Sequence, residues 1–336
     1  ALLAPFRAGP AEAALDAAKL RAAALLLDLA WQAKVAFYEA LAAEQRLELR
    51  LRFLESQQAS YATAVELSRA GNLPELQLAS ELAAVELARV QVAEAENALV
   101  DAREALTRRL GVSGARATFT LSGRLELPPA APPLDGVEAE AVRASLQLAE
   151  LERRAEAASR TVQLARVEGW LPHLSGGFHG ERDGALWELG AHLSVSLPVI
   201  DRAQGRELAA RSAYDVLRQR REASAVTLRS LARQLANRVE SAHARASHYA
   251  ARLLPARERQ LEQTLLQYNA MQRGVFELLL AQRGVTETAL AQVDATLDFF
   301  RAAAALELLR QGGTPAWGGA ALPSSTAPAA AGAGEH

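Results

Sequence analysis

Apolar residues recur three and four positions apart through most of the chain. Leu47, Leu51, Leu54, Tyr61 and Val65 do so inside a stretch, from about residue 11 to 69, that holds no glycine or proline. This spacing predicts an α-helix, and about 60 residues at the helical rise would reach roughly 90 Å, far beyond a globular helix. A second seam runs through Leu78, Leu82, Val85, Ala88, Val92, Ala95, Leu99, Ala102 and Leu106 and ends at Leu110-Gly111. Between the two, Ala70-Gly71-Asn72-Leu73-Pro74-Glu75 reads as a stop followed by a start: a terminal glycine, an asparagine cap, a proline in the first turn and a glutamate three residues after the cap. Residues 113–136 form a proline-rich connector in which 116–127 suggest short extended segments. Helical periodicity returns by Val142 and lasts to about Val167. A further helix follows Asp201 along Leu228, Leu231, Leu235, Val239, Ala242, Ala246, Tyr249 and Leu253 to Arg273. Pro255 should kink it rather than end it, because the periodic text resumes at once. Val285, Ala289, Val293, Leu297, Phe300, Ala304 and Leu308 mark the last helix, up to Gly312.

A glycine within helical text costs about 1 kcal/mol against alanine, so Gly274 in an alanine-rich chain calls for a reason. Gly71 supplies one. Each of these glycines follows a long helix and precedes one of similar length, closing at Leu110-Gly111 and at Gln311-Gly312; Pro5 and Pro198 stand before the two long helices. The chain is therefore expected to be mainly α: two long antiparallel helical hairpins related by an internal repeat. The first occupies residues 1–112 with its apex near 71. The second repeat occupies 137–312 with its apex near 274. The tail, 313–336, is glycine, alanine, proline and serine without core material and is expected to be disordered.

One segment, 170–198, breaks the helical period. From Trp187 onward the odd positions are apolar (Trp187, Leu189, Ala191, Leu193, Val195, Leu197) and the even ones polar or small (Glu188, Gly190, His192, Ser194, Ser196). Strict alternation predicts a strand with one apolar and one wet face. The preceding arm alternates more weakly, with Leu174, Gly176 and Phe178 against His173, Ser175, Gly177 and His179, and 180–184 is assigned to the turn. Eleven residues suit a tilted strand crossing a bilayer, with Trp170 and Trp187 at its interfaces. A lone hairpin cannot span lipid, since its edges would leave backbone groups unpaired, so a membrane role requires several chains to close one barrel.

Composition narrows the chemistry. The formal charge of −2 leaves no basic surplus for nucleic acid, and the absence of cysteine removes disulfides and thiolate sites. No run of 18 apolar residues exists that could form a spanning helix. Catalytic motifs are missing, so an enzyme, a cofactor and a resident metal are not expected. His173, His179 and His192 share the wet side of the hairpin by parity; a metal cluster is one reading, and polar residues lining a lumen is the simpler one.

Trp170-Leu-Pro-His-Leu-Ser, Leu193-Ser-Val-Ser-Leu-Pro-Val-Ile-Asp201, the first-apex stretch Arg69-Ala-Gly-Asn-Leu-Pro-Glu-Leu-Gln-Leu-Ala79 and the second-apex stretch Tyr268-Asn-Ala-Met-Gln-Arg-Gly-Val-Phe-Glu-Leu-Leu280 together resemble the TolC-like outer-membrane efflux proteins over residues 1–312. The resemblance implies an outer-membrane homotrimer extending into the periplasm, whose β-hairpins form a transmembrane β-barrel continued by a helical tunnel. In that family a signal sequence, a first helix and a first β-hairpin precede the stretch that begins here, so the chain reads as N-terminally truncated. It implies a lipid-facing strand at Trp187, Leu189, Leu193, Val195 and Leu197. It also implies that the apex turns, at Gly71, Asn72, Leu73, Gly274, Val275 and Phe276, dock a periplasmic adaptor (membrane fusion) protein and through it an inner-membrane pump. The second apex is similar to members serving heavy-metal export; drugs and type I secreted proteins are open alternatives, as is a soluble coiled-coil scaffold.

Overall fold

The structure, a computed structural model, describes residues 4–170, 173–183, 186–196 and 204–315. Seven α-helices and one β-hairpin make up the described residues: α1 (Ala4–Arg69), α2 (Glu75–Leu110), α3 (Val137–Ala144), α4 (Leu146–Trp170), β1 (His173–Asp183), β2 (Leu186–Ser196), α5 (Gln204–His248), α6 (Leu254–Asn269) and α7 (Val275–Arg310). None of the helices is long and apolar enough to cross a membrane. The residues of the tail beyond 315, and Pro198, lie outside the described residues.

The chain divides into two compact units. Among the described residues, one holds those of 4–25 and 145–229; the other holds 26–144 and 230–315. In the first, Arg160 donates to the carbonyl of Gly9 at 2.9 Å, and Arg166 donates to Glu207 at 2.6 Å, holding that carboxyl below the usual carboxylate range. Ser145 separates α3 from α4, a break absent from the helical periodicity, and its hydroxyl accepts the Leu148 N–H at 3.2 Å as an N-terminal cap.

The second unit carries both helical hairpins. Its close-packed seams are built from alanine: Ala40, Ala42, Ala141, Ala232, Ala246, Ala302 and Ala305 have essentially no exposed surface. Leu235, Val239, Leu306 and Leu309 of this unit are also fully buried. The connector after α2 is a 3-10 turn (Gly114–Ala117) followed by irregular chain rather than the extended segments expected. It is fastened carbonyl by carbonyl. Arg103 donates to Phe119 O at 2.6 Å, His243 Nε2 to Pro128 O at 2.9 Å and Arg310 to Pro133 O at 2.5 Å. Leu121 and Leu125 bury against Leu41, Ala42 and Leu297, beside a cluster in which the Tyr38 and Phe300 rings stand 4.8 Å apart.

α2 and α7 are 36 residues each, and begin at 75 and 275. The repeat offset is therefore 200 residues. This corrects the pairing of Gly71 with Gly274. Gly71 has φ +76°, and the equivalent residue is Met271, with φ +55°; Gly274 corresponds to Pro74, and both are the residue before a helix. Asn72 is likewise not the cap of α2: its N–H closes the end of α1 on Leu67 O at 2.9 Å, and Pro74 is the cap residue. Pro255 falls in the first turn of α6, after a π-helical turn at Tyr249–Leu253 in which the Leu254 N–H reaches Tyr249 O, five residues back. The extra residue absorbs the donor that proline lacks.

The left-handed conformation costs a non-glycine residue about 1 kcal/mol, and a Cβ at Gly71 would meet nothing within 4 Å. Gly71→Met should therefore lower stability by about 1 kcal/mol and Met271→Gly should raise it by up to a similar amount, read by urea unfolding. Shifts of the same sign would show that backbone conformation does not govern the two turns.

Candidate functional site

The two turns are built alike. At the first, Gly71 N–H bonds Ser68 O and Asn72 N–H bonds Leu67 O, both at 2.9 Å; at the second, Met271 N–H bonds Tyr268 O and Gln272 N–H bonds Gln267 O, both at 2.9 Å. Each pattern closes a helix through one residue of positive φ. The next helices start differently. Gly274 has φ −83° and gives its N–H to Glu277 Oε2 at 2.7 Å, so this glycine serves a helix start and not the bend.

Of the six predicted apex residues, Gly71, Asn72, Gly274 and Phe276 are exposed. Leu73 and Val275 are half-buried and line one groove of about 360 Å³ with Leu67, Leu265, Tyr268 and Leu278. Phe276 lines a second groove of about 210 Å³, between α1, α2 and α7, with Phe53, Leu87, Leu279 and Leu280. Three further apolar side chains are the most exposed among the described residues: Met271 at 96%, Leu76 at 79% and Leu280 at 71%. A clue existed in the sequence, since Met271 is the sole methionine and sits two residues after an asparagine within turn text.

Two polar contacts, one half-buried and one at a fully buried carboxyl, brace these helices near the tips. Gln282 donates to Ser56, joining α7 to α1. Glu81 on α2 is 1% exposed; Ser60 on α1 donates to its Oε2 at 3.1 Å, while Oε1 has no hydrogen-bond partner among the described residues. Burial pushes this carboxyl above its ordinary value, against the weaker opposing effect of the Ser60 hydroxyl.

In the hairpin, β1 and β2 pair antiparallel from His173↔Ser196 to Asp183↔Leu186. β1 thus runs through Gly180 to Asp183, residues the sequence reading assigns to the turn. Trp187, Leu189, Leu193 and Val195 pair with Arg182, Gly180, Gly176 and Leu174, so these positions share one face of the ladder, while Leu186, opposite Asp183, falls on the other. Leu197, the last of the predicted apolar strand residues, lies outside the described residues.

This combination of two helical hairpins and an intervening β-hairpin recurs in solved structures. OprN, described as an outer-membrane channel, superposes with a TM-score of 0.78 at 21% identity, over 92% of this chain and 72% of that one. The Campylobacter jejuni CmeC outer membrane channel gives 0.77 at 14% identity, over 91% and 67%. The Vibrio cholerae outer membrane protein VceC gives 0.75 at 16%, over 93% and 76%. The chain has the fold of the outer-membrane channels. That is the fold implied by the TolC-like resemblance of its apex and hairpin sequences. No family model matches the sequence, and no curated protein does.

Glu81 yields a pH prediction. A carboxyl whose folded pKa is raised contributes stability that is fully present below its ordinary value of 4.5 and lost as pH rises through the folded value. Glu81→Gln should therefore be more stable than the parent at pH 7, and the difference should vanish below about pH 4.5. Unfolding measured across that range checks it, and a gap that widens on acidification would contradict it.

Proposed function

We propose that this chain is the outer-membrane channel component of a tripartite efflux system, a passive exit duct across the periplasm and outer membrane. The observation that carries the proposal is the hairpin: a ladder with Trp187, Leu189, Leu193 and Val195 on one face, set between two long helical hairpins in a fold shared with outer-membrane channels. A single two-stranded ladder leaves both edges unpaired, which lipid does not permit. Closure by copies of the chain in a homotrimer satisfies those edges, with Trp187, Leu189, Leu193, Val195 and Leu197 toward lipid.

The tips are the docking end. Apolar side chains there, Met271, Leu76, Leu280 and Phe276, are left in water by the chain itself, and exposed loops on rigid rods are natural contact points. An adaptor protein engaging Gly71, Asn72, Leu73, Gly274, Val275 and Phe276 would cover them and link the duct to an inner-membrane pump. The duct performs no reaction; the pump supplies the energy. The wording of the second apex favours heavy-metal ions as cargo over drugs or proteins.

The reading is tested with the chain expressed together with whatever sequence flanks it in its gene. A lysine on the lipid face of a barrel costs about 2–4 kcal/mol at the bilayer midplane. Leu193→Lys should therefore abolish recovery from the outer-membrane fraction, while Ser194→Lys, one residue along and on the other face, should not. Leu73→Asp and Phe276→Asp should leave the trimer intact and abolish resistance to the exported compound. Equal tolerance of both lysines, or recovery of the unaltered protein as a detergent-independent soluble species, would instead favour a coiled-coil scaffold.

A further inference from the structure

The first buried residue of α2 and the first of α7 fall at the same place in the repeat. They are Glu81, 1% exposed, and Ala281, 4% exposed, each six residues after the start of its helix at Glu75 or Val275. Toward the turns the packing thins out in both hairpins: Ala64 is the one buried residue of 61–80, and none of 261–280 is buried. These two positions are therefore where the close-packed seams begin. Their chemistry differs. One seam opens with a methyl group and the other with a carboxyl.

A carboxyl there is costly mainly in its ionised form. Ser60 of α1 donates to Oε2 at 3.1 Å, but Oε1 has no hydrogen-bond partner among the described residues, so a negative charge on it would be buried and only half satisfied. The charged groups of the packed helices are occupied elsewhere. On α1, Glu55 is exposed, Tyr61 is half-buried, Glu66 pairs with Arg69 at 2.7 Å, and Arg50, deeper in the seam, donates to Gln91 at 2.7 Å. On α2, Glu75 is exposed and Glu86 pairs with Arg89 at 2.8 Å. On α7, Glu277 accepts the Gly274 N–H at 2.7 Å, and Arg283 pairs with Glu287 at 2.8 Å. Burial and the Ser60 hydroxyl are what act on Glu81, burial more strongly, and burial favours the neutral form.

We propose that Glu81 is a pH-sensitive latch that loosens the first tip as pH rises, while the second tip, with Ala281 in its place, stays closed. Protonated, the carboxyl is a neutral group that the α1–α2 seam tolerates, and residues 61–80 remain packed. Ionised, it draws water, which reaches Oε1 when the seam parts between Glu81 and the turn. Little buried apolar surface in 61–80 resists that parting. The latch needs only the α1–α2 packing and is independent of the exit-duct reading. It makes the two turns, alike in backbone, unequal in firmness above acid pH.

Hydrogen exchange of the full chain tests it, followed by mass spectrometry at about pH 4.5 and about pH 8 and corrected for the intrinsic pH dependence of amide exchange. Protection of 61–80 should fall by about tenfold or more at the higher pH, and that of 261–280 should not change. Glu81→Gln should hold 61–80 equally protected at both pH values. Glu81→Ala, which gives the first tip the residue of the second, should do the same. Ser60→Ala removes the hydrogen bond to the ionised form and should move the loosening to higher pH. Equal protection of 61–80 at both pH values in the parent, an equal loss in the two tips, or a loss that persists in Glu81→Gln would overturn the proposal.

Discussion

How closely two helices can approach depends on what stands between their backbones, and in the larger unit that residue is alanine. Ala40, Ala42, Ala232, Ala246, Ala302 and Ala305 are fully enclosed, with leucine and valine filling the spaces beside them. Alanine contributes little apolar area per residue, so a seam of this kind has to be long to outweigh the entropy of ordering it. Helices of 36 residues and more follow from that arithmetic.

The long elements were legible because their signals are long. A three-and-four seam sustained over dozens of residues, cut by Gly71-Asn72-Leu73-Pro74 or by Gly274, leaves few alternatives for the backbone. The β-hairpin was legible for the same reason in its second arm, where alternation is strict. In its first arm, glycines at 176, 177 and 180 erase the pattern, and the strand was cut short at Gly180 although pairing with Leu186–Leu189 carries it to Asp183. The break at Ser145 went unseen because a serine cap within alanine-rich text perturbs no periodicity.

At the candidate site the limits were of another kind. Residue type identified the turns, but glycine is an ambiguous word: it tolerates positive φ, and it also tolerates the start of a helix. Gly71 does the first and Gly274 the second, while the left-handed position of the second turn fell to Met271. Which apolar side chains end up half-buried in a groove, as Leu73 and Val275 do, and which in water, as Leu76 does, depends on the approach of helices two hundred residues away.

The π turn between α5 and α6 has a bearing on how such a chain can change. One surplus residue in an α-helix swings everything beyond it by about 100° around the axis, and the widened turn at Tyr249–Leu253 takes up that swing within five residues. The stripe that α6 turns toward α7 is thus indexed to a count of residues upstream. Substitutions along α5 can accumulate singly, but loss or gain of a single residue there would rotate the far hairpin's polar flank into its own seam.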